Sequence, residues 1–221
     1  MRHPALLLTC FLFCLTQAAL GQTPYQQSLD IARQEWIRFG EQTIDIDGKL
    51  VKKGGQEADE EFYLRVGDYW KEGVDLDLTG KDTDEPWSAA FISWVMKQAG
   101  MGERFSYSDW HATYIRNSIL ARRRNDPSFA YWGYRLNERA PQVGDLVGYA
   151  RQGGINFDYQ PTVYASHTDL VVAVRPGEID VIGGNVKDSV TLKTLRTDAE
   201  GKLIDKNYRW FVVMAPTVPV E

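Results

Sequence analysis

Apolar residues recur every three or four positions through the first half of the chain and every second position after Gly144. The spacing of Leu29, Ala32, Trp36 and Phe39 predicts a helix over 24–40, stopped by Gly40. Phe62, Val66, Tyr69 and Trp70 share one side of a second helix, expected over 58–72. Between them, "TIDIDGKLVKKGGQ" reads as a loop or small hairpin turning at Asp47-Gly48. After a polar connector comes "DTDEPWSAAFISWVMKQAG", residues 82–100. Pro86 fits a first helical turn, Asp84 is the expected cap, and Gly100 the expected end. Ser88, Phe91, Ile92, Val95 and Ala99 share its core-facing side. A fourth helix is expected over 108–124, capped by Ser108 or Asp109. The stretch "NDPSFAYWGYRLNERAPQVGD" reads as an aromatic-rich loop. Five strands are then predicted, at 145–150, 168–174, 178–184, 189–195 and 209–215, with turns at Pro176-Gly177 and Glu200-Gly201. Helices followed by mostly antiparallel strands indicate an α+β fold.

The N-terminal stretch breaks this pattern. Arg2, an apolar run from Ala5 to Leu15, and then Ala19 and Gly21 read as a signal peptide cut after Gly21. The expected product is one exported domain over 22–221, periplasmic or secreted, with no stable membrane span. Both cysteines, Cys10 and Cys14, lie in that leader. A mature chain without cysteine has no disulfide, no thiolate metal site and no thiol nucleophile. Two mature histidines without ligand spacing do not suggest a metal, and no cofactor is expected. The net charge of −5 argues against nucleic acid as a partner; Arg122-Arg123-Arg124 reads as a solvated helix end.

Three polar residues stand in an order that suggests nucleophilic catalysis. Ser88 lies at a helix N-terminus, His167 opens a strand in "SHTDLVVAV", and Asn185 follows the next strand in "VIGGNV". A serine hydroxyl stays protonated at neutral pH, so it needs a base within about 2.6–3.2 Å during attack. His167 is the expected base. Asn185 or Asp169 is the expected orienting group, Asp169 lying two residues along the same strand. Backbone amides near Ser88 offer an oxyanion hole. His111 and Ser108, three apart in "YSDWH", read as a wall of the cleft or a second acid/base. Trp87, Trp110, Tyr131 and Trp132 are candidate groove-lining aromatics.

The segments "PWSAAFISWVMKQAG", "PQVGD", "SHTDLVV" and "GGNV" together resemble CHAP-type and NlpC-like papain-fold cell-wall amidohydrolases, with serine at their cysteine position. With "FSYSDWHATYI", the set over about residues 28–215 looks like an uncharacterised bacterial domain family carrying serine there. The resemblance implies a papain-like fold, with N-terminal helices on a mostly antiparallel sheet of about five strands. It implies a hydrolase of amide or ester bonds in a cell-envelope substrate, most plausibly peptidoglycan peptides. A non-catalytic relative that binds wall fragments or a protein partner fits the same residues, as does a secreted toxin-like effector.

Overall fold

The computed structural model describes residues 21–217. The expected leader, with Cys10 and Cys14, lies outside the described residues except for Gly21. Helix α1 (Pro24–Arg38) starts where the sequence supplies a reciprocal cap. The Thr23 hydroxyl accepts the Gln26 amide at 3.3 Å, and the Gln26 side chain accepts the Thr23 amide at 2.9 Å. Buried Glu35 of α1 receives two guanidinium donors of Arg65, at 2.8 and 2.7 Å, from α2 (Tyr63–Val74). Val66, Tyr69, Trp70 and Gly73 form the buried side of α2, much as their spacing predicts.

Helix α3 (Ser88–Gln98) is buried at every position from Ser88 to Met96. It is therefore a central helix rather than one with a single apolar stripe. It starts two residues after Pro86, so Asp84 is too far upstream to cap it; Trp87 takes the cap position and no side chain bonds there. Helix α4 (His111–Arg123) follows, with Trp110 at its cap position and again no side-chain cap. Ser108 instead accepts the Trp110 amide at 3.0 Å, shaping the turn that leads into α4.

The sheet differs from expectation. It has eight strands: β1 (Gln42–Ile44), β2 (Leu50–Lys52), β3 (Tyr131–Tyr134), β4 (Leu146–Ala150), β5 (Ser166–Arg175), β6 (Glu178–Gly183), β7 (Thr191–Arg196) and β8 (Arg209–Pro216). Their order is β2-β1-β7-β6-β5-β4-β8-β3. Strands β1 and β7 are parallel and the other neighbours antiparallel. The α+β class stands, but this mixed sheet replaces the expected papain-like layout of about five mostly antiparallel strands. The five predicted strands are present. The additions are the small hairpin β1–β2 and the edge strand β3, which runs through the supposed aromatic loop. Each added strand has only three or four residues, too few for alternation to stand out.

Helices α1, α3 and α4 cover one face of the sheet, packing on Leu146, Leu170, Val172, Ile182, Val212 and Met214. Val147, Tyr149, Val171, Val181, Leu195 and Val213 form a second core on the other face, joined by Leu203. Along β5 the even-numbered residues Leu170 and Val172 thus face the helices, and Val171 faces away.

Candidate active site

Ser88 is the first residue of α3 and His111 the first residue of α4, so two helix N-termini converge. The Ser88 hydroxyl is hydrogen-bonded to His111 Nε2 at 2.7 Å. Both side chains are buried, yet both reach the wall of a cleft of about 160 Å³. The other ring nitrogen of His111 meets the Thr168 hydroxyl at 2.8 Å and also bonds the Tyr114 hydroxyl. Tyr114 and Thr168 are themselves bonded at 3.0 Å. Thr168 can arrive there because it is an even-numbered residue of β5, on the helix-covered side.

His167 is built into a different network. The Arg151 guanidinium, which has only donors, lies 3.2 Å from His167 Nδ1. That nitrogen must therefore accept, and Nε2 carries the proton and donates to Asp169 Oδ1 at 3.0 Å. Asp169 Oδ2 in turn accepts from the buried Lys193 ammonium at 2.7 Å. Lys193 is surrounded by the rings of Tyr149, Tyr208 and Trp210. Both nitrogens of His167 are thus occupied, and no hydrogen bond joins it to Ser88 among the described residues. The two imidazoles nevertheless lie close, with ring centroids 5.0 Å apart.

The charges follow from this packing. Burial pushes His111 well below the usual imidazole range, with His167 and Arg151 adding in the same direction. The positive end of α4 acts in that sense too. Burial also pushes His167 down to about 4, against the opposing pull of Asp169. Asp169 is held below the ordinary carboxylate range: burial acts to raise it, but Lys193 and His167 together outweigh that. At neutral pH both rings are neutral, and the carboxylate bonded to His167 is paired with Lys193.

The remaining sequence candidates separate cleanly. Trp110 is 46% exposed and lines the cleft with Pro86, Tyr164 and Ser166. Trp87 is buried in the core, its indole donating to Glu57 at 2.5 Å, and does not line the cleft. Tyr131 is a core residue, and the Trp132 indole donates to the Asp126 carbonyl, so neither lines the cleft. Ser108 bonds the Thr113 hydroxyl at 3.0 Å and serves the turn before α4. Asn185 adopts φ 51°, a left-handed turn conformation that asparagine tolerates, and its side chain makes no hydrogen bond among the described residues.

Five contributors escape a reading by motif: Tyr114, Arg151, Tyr164, Thr168 and Lys193. Tyr114 follows His111 by three, the helical spacing that brings side chains onto one face, and this is the one signal that could have found it. Tyr164 lines the cleft, and its buried hydroxyl has no hydrogen-bond partner among the described residues. Chemically, the arrangement presents a hydroxyl, a neutral imidazole to receive its proton, and the amides of Ser88, Ala89 and Ala90. Those amides precede the first helical bond, from Phe91 to Trp87, so they have no acceptor within α3.

No curated protein and no solved structure matches the chain. A family model described as an uncharacterized protein conserved in bacteria, DUF2272, matches residues 53–215, a span that holds Ser88, His111, His167 and Asp169 together. On that match, which takes in most of its length, the chain belongs to the DUF2272 family.

Proposed function

We propose that the protein is a hydrolase of amide or ester bonds that uses Ser88 as nucleophile and His111 as its general base. One observation carries this reading: the 2.7 Å hydrogen bond between the Ser88 hydroxyl and His111 Nε2 at the wall of an open cleft. For attack, His111 holds its proton on Nδ1, donated to the hydroxyl oxygen of Thr168 or Tyr114. Nε2 then takes the serine proton as the hydroxyl oxygen bonds to the acyl carbon, and later returns it to the leaving group. The free first-turn amides of α3, that of Ser88 foremost, receive the developing oxyanion. His167, Asp169 and Lys193 stand behind His111 and act on it through its surroundings. The apolar leader-like stretch supports an exported enzyme, and the sequence motifs support a cell-envelope substrate, peptidoglycan peptides foremost.

The test is hydrolysis of small p-nitrophenyl esters and of muropeptides, the latter followed by mass spectrometry. Ser88→Ala and His111→Gln are each expected to lower kcat/KM by about a thousandfold or more, and His167→Gln by less. Turnover unchanged in Ser88→Ala removes the serine from the mechanism. A second reading, a non-catalytic relative that binds wall fragments, is favoured by one feature. His111 Nδ1 has hydroxyl partners and no carboxylate, so little stabilises an imidazolium. Muropeptides that bind the wild-type protein and are recovered intact would decide for it.

A further inference from the structure

A second cleft of about 580 Å³ opens beside the first, and Arg151 lines both. Its wall carries Arg151, Lys206 and Arg209 and includes no carboxylate. The tyrosines Tyr149 and Tyr208, ring centroids 4.5 Å apart, form its apolar side. Three exposed cations gathered in one groove are unusual on a chain of net charge −5. Many other surface arginines are paired, Arg122 with Glu138, Arg135 with Asp158 and Arg175 with Asp180. Arg151, Lys206 and Arg209 form no ion pair among the described residues. Of the carboxylates around these clefts, Asp169 is engaged by Lys193 and His167, and Asp205 by the Trp210 indole and the Asn207 side chain, while Asp109 lines the first cleft with Arg151 and forms no ion pair among the described residues. Arg151 contacts His167 and the Tyr149 hydroxyl, which leaves others of its five guanidinium N–H donors for a ligand.

We infer that this groove seats an anionic segment of the substrate whose scissile bond reaches Ser88. The substrate is then a short acidic chain, its charges being carboxylates or phosphates. The inference rests on the proposed hydrolase reading for the link to Ser88, while the binding itself is measured without turnover. Arg151 is the joint: it touches the cleft that holds the reacting bond and the groove that holds the charge. The first cleft, lined by Trp110 and Pro86 and carrying the Asp109 carboxylate, takes the uncharged side, and that carboxylate keeps the anionic end in the second groove.

The experiment uses the full mature chain carrying Ser88→Ala. Dansyl-labelled tetrapeptides with two glutamates, two phosphoserines or two glutamines are titrated by fluorescence. The acidic peptides are expected to bind about tenfold or more tighter than the glutamine peptide, with affinity falling as salt rises. Whichever acidic peptide binds tighter identifies carboxylate or phosphate as the charge. Lys206→Glu with Arg209→Glu, both exposed positions, is expected to abolish that preference. Lys53→Glu with Lys97→Glu, the same charge change at exposed positions that line neither cleft, is expected to preserve it. Equal binding of acidic and neutral peptides, or an unchanged preference in the doubly reversed variant, overturns the inference. Charge-dependent binding by a protein whose wild type hydrolyses nothing overturns the hydrolase reading and leaves the groove standing.

Discussion

Lys193 is the least expected residue of the site. It is almost completely buried, its ammonium has one hydrogen-bond acceptor, Asp169, and three aromatic rings enclose it. Removing one partner of such a pair leaves an uncompensated buried charge, which costs about 3–5 kcal/mol. Lys193→Met is therefore expected to lower the unfolding free energy by about that amount in urea titrations. Asp169→Asn combined with Lys193→Met removes both charges and is expected to recover more than half of the loss. A double variant no more stable than the single one refutes the pairing. Residue identity alone exposed Ser88, His111, His167 and Asp169 as chemical candidates. It could not expose Lys193, because in "TLKTLR" a lysine amid apolar residues reads as the solvent side of an alternating strand. Here burial alternates with Thr191, Lys193 and Leu195 facing inward, and the Asp169 charge accounts for the lysine.

At the level of elements, the decisive fact is the parity of β5. His167 and Thr168 are adjacent, and strand geometry sends adjacent side chains to opposite faces. The sequence shows the alternation but not which face the helices cover, and that choice assigns Thr168 to His111. It leaves His167 with Asp169 and Lys193 on the other side. The helix starts at Ser88 and His111 were legible within two or three residues, whereas the caps expected at Asp84 and at Ser108 or Asp109 were not. Burial and packing of α3 and α4 fix these ends without side-chain caps. The "GG" of "VIGGNV" is likewise a packing device. A Cβ on Gly184 would come 2.6 Å from the Phe91 ring and 2.7 Å from the Trp87 ring, at the start of α3. Gly184→Ala is thus expected to push α3 away from β6, cost about 1–3 kcal/mol in stability, and slow turnover by displacing Ser88. Calorimetry and ester kinetics on the same preparation check both. Wild-type stability in Gly184→Ala contradicts the close contact.

Across the whole molecule, the buried histidines and Asp169 make stability a function of pH with a definite sign. His167 drops to about 4 in the folded chain, while in the unfolded chain it keeps an ordinary value near 6.5. Between those limits the unfolded state binds more protons, so stability falls as pH is lowered from about 6.5 towards 4. The effect from His167 alone amounts to about 3 kcal/mol at most, and His111, depressed for the same reason, adds to it in the same direction. Asp169 continues the trend further down. Its folded value is depressed, so its contribution is complete above the ordinary carboxylate range and is lost as acid protonates it. All three groups act in the same direction, and acid should first charge the unfolded chain and then break the Asp169–Lys193 pair. Urea midpoints measured between pH 8 and pH 4 are therefore expected to stay flat above about pH 7 and fall steadily below it. In His167→Gln the slope between pH 6.5 and 4 is expected to shrink, because one of its sources is gone. The same depression places the acid limb of kcat/KM below the ordinary imidazole range, since His111 stays neutral and able to accept the Ser88 proton in mildly acidic solution. An acid limb at or above about 6.5 would show that His111 is not held neutral by its burial, and the electrostatic account of the site would fail with it.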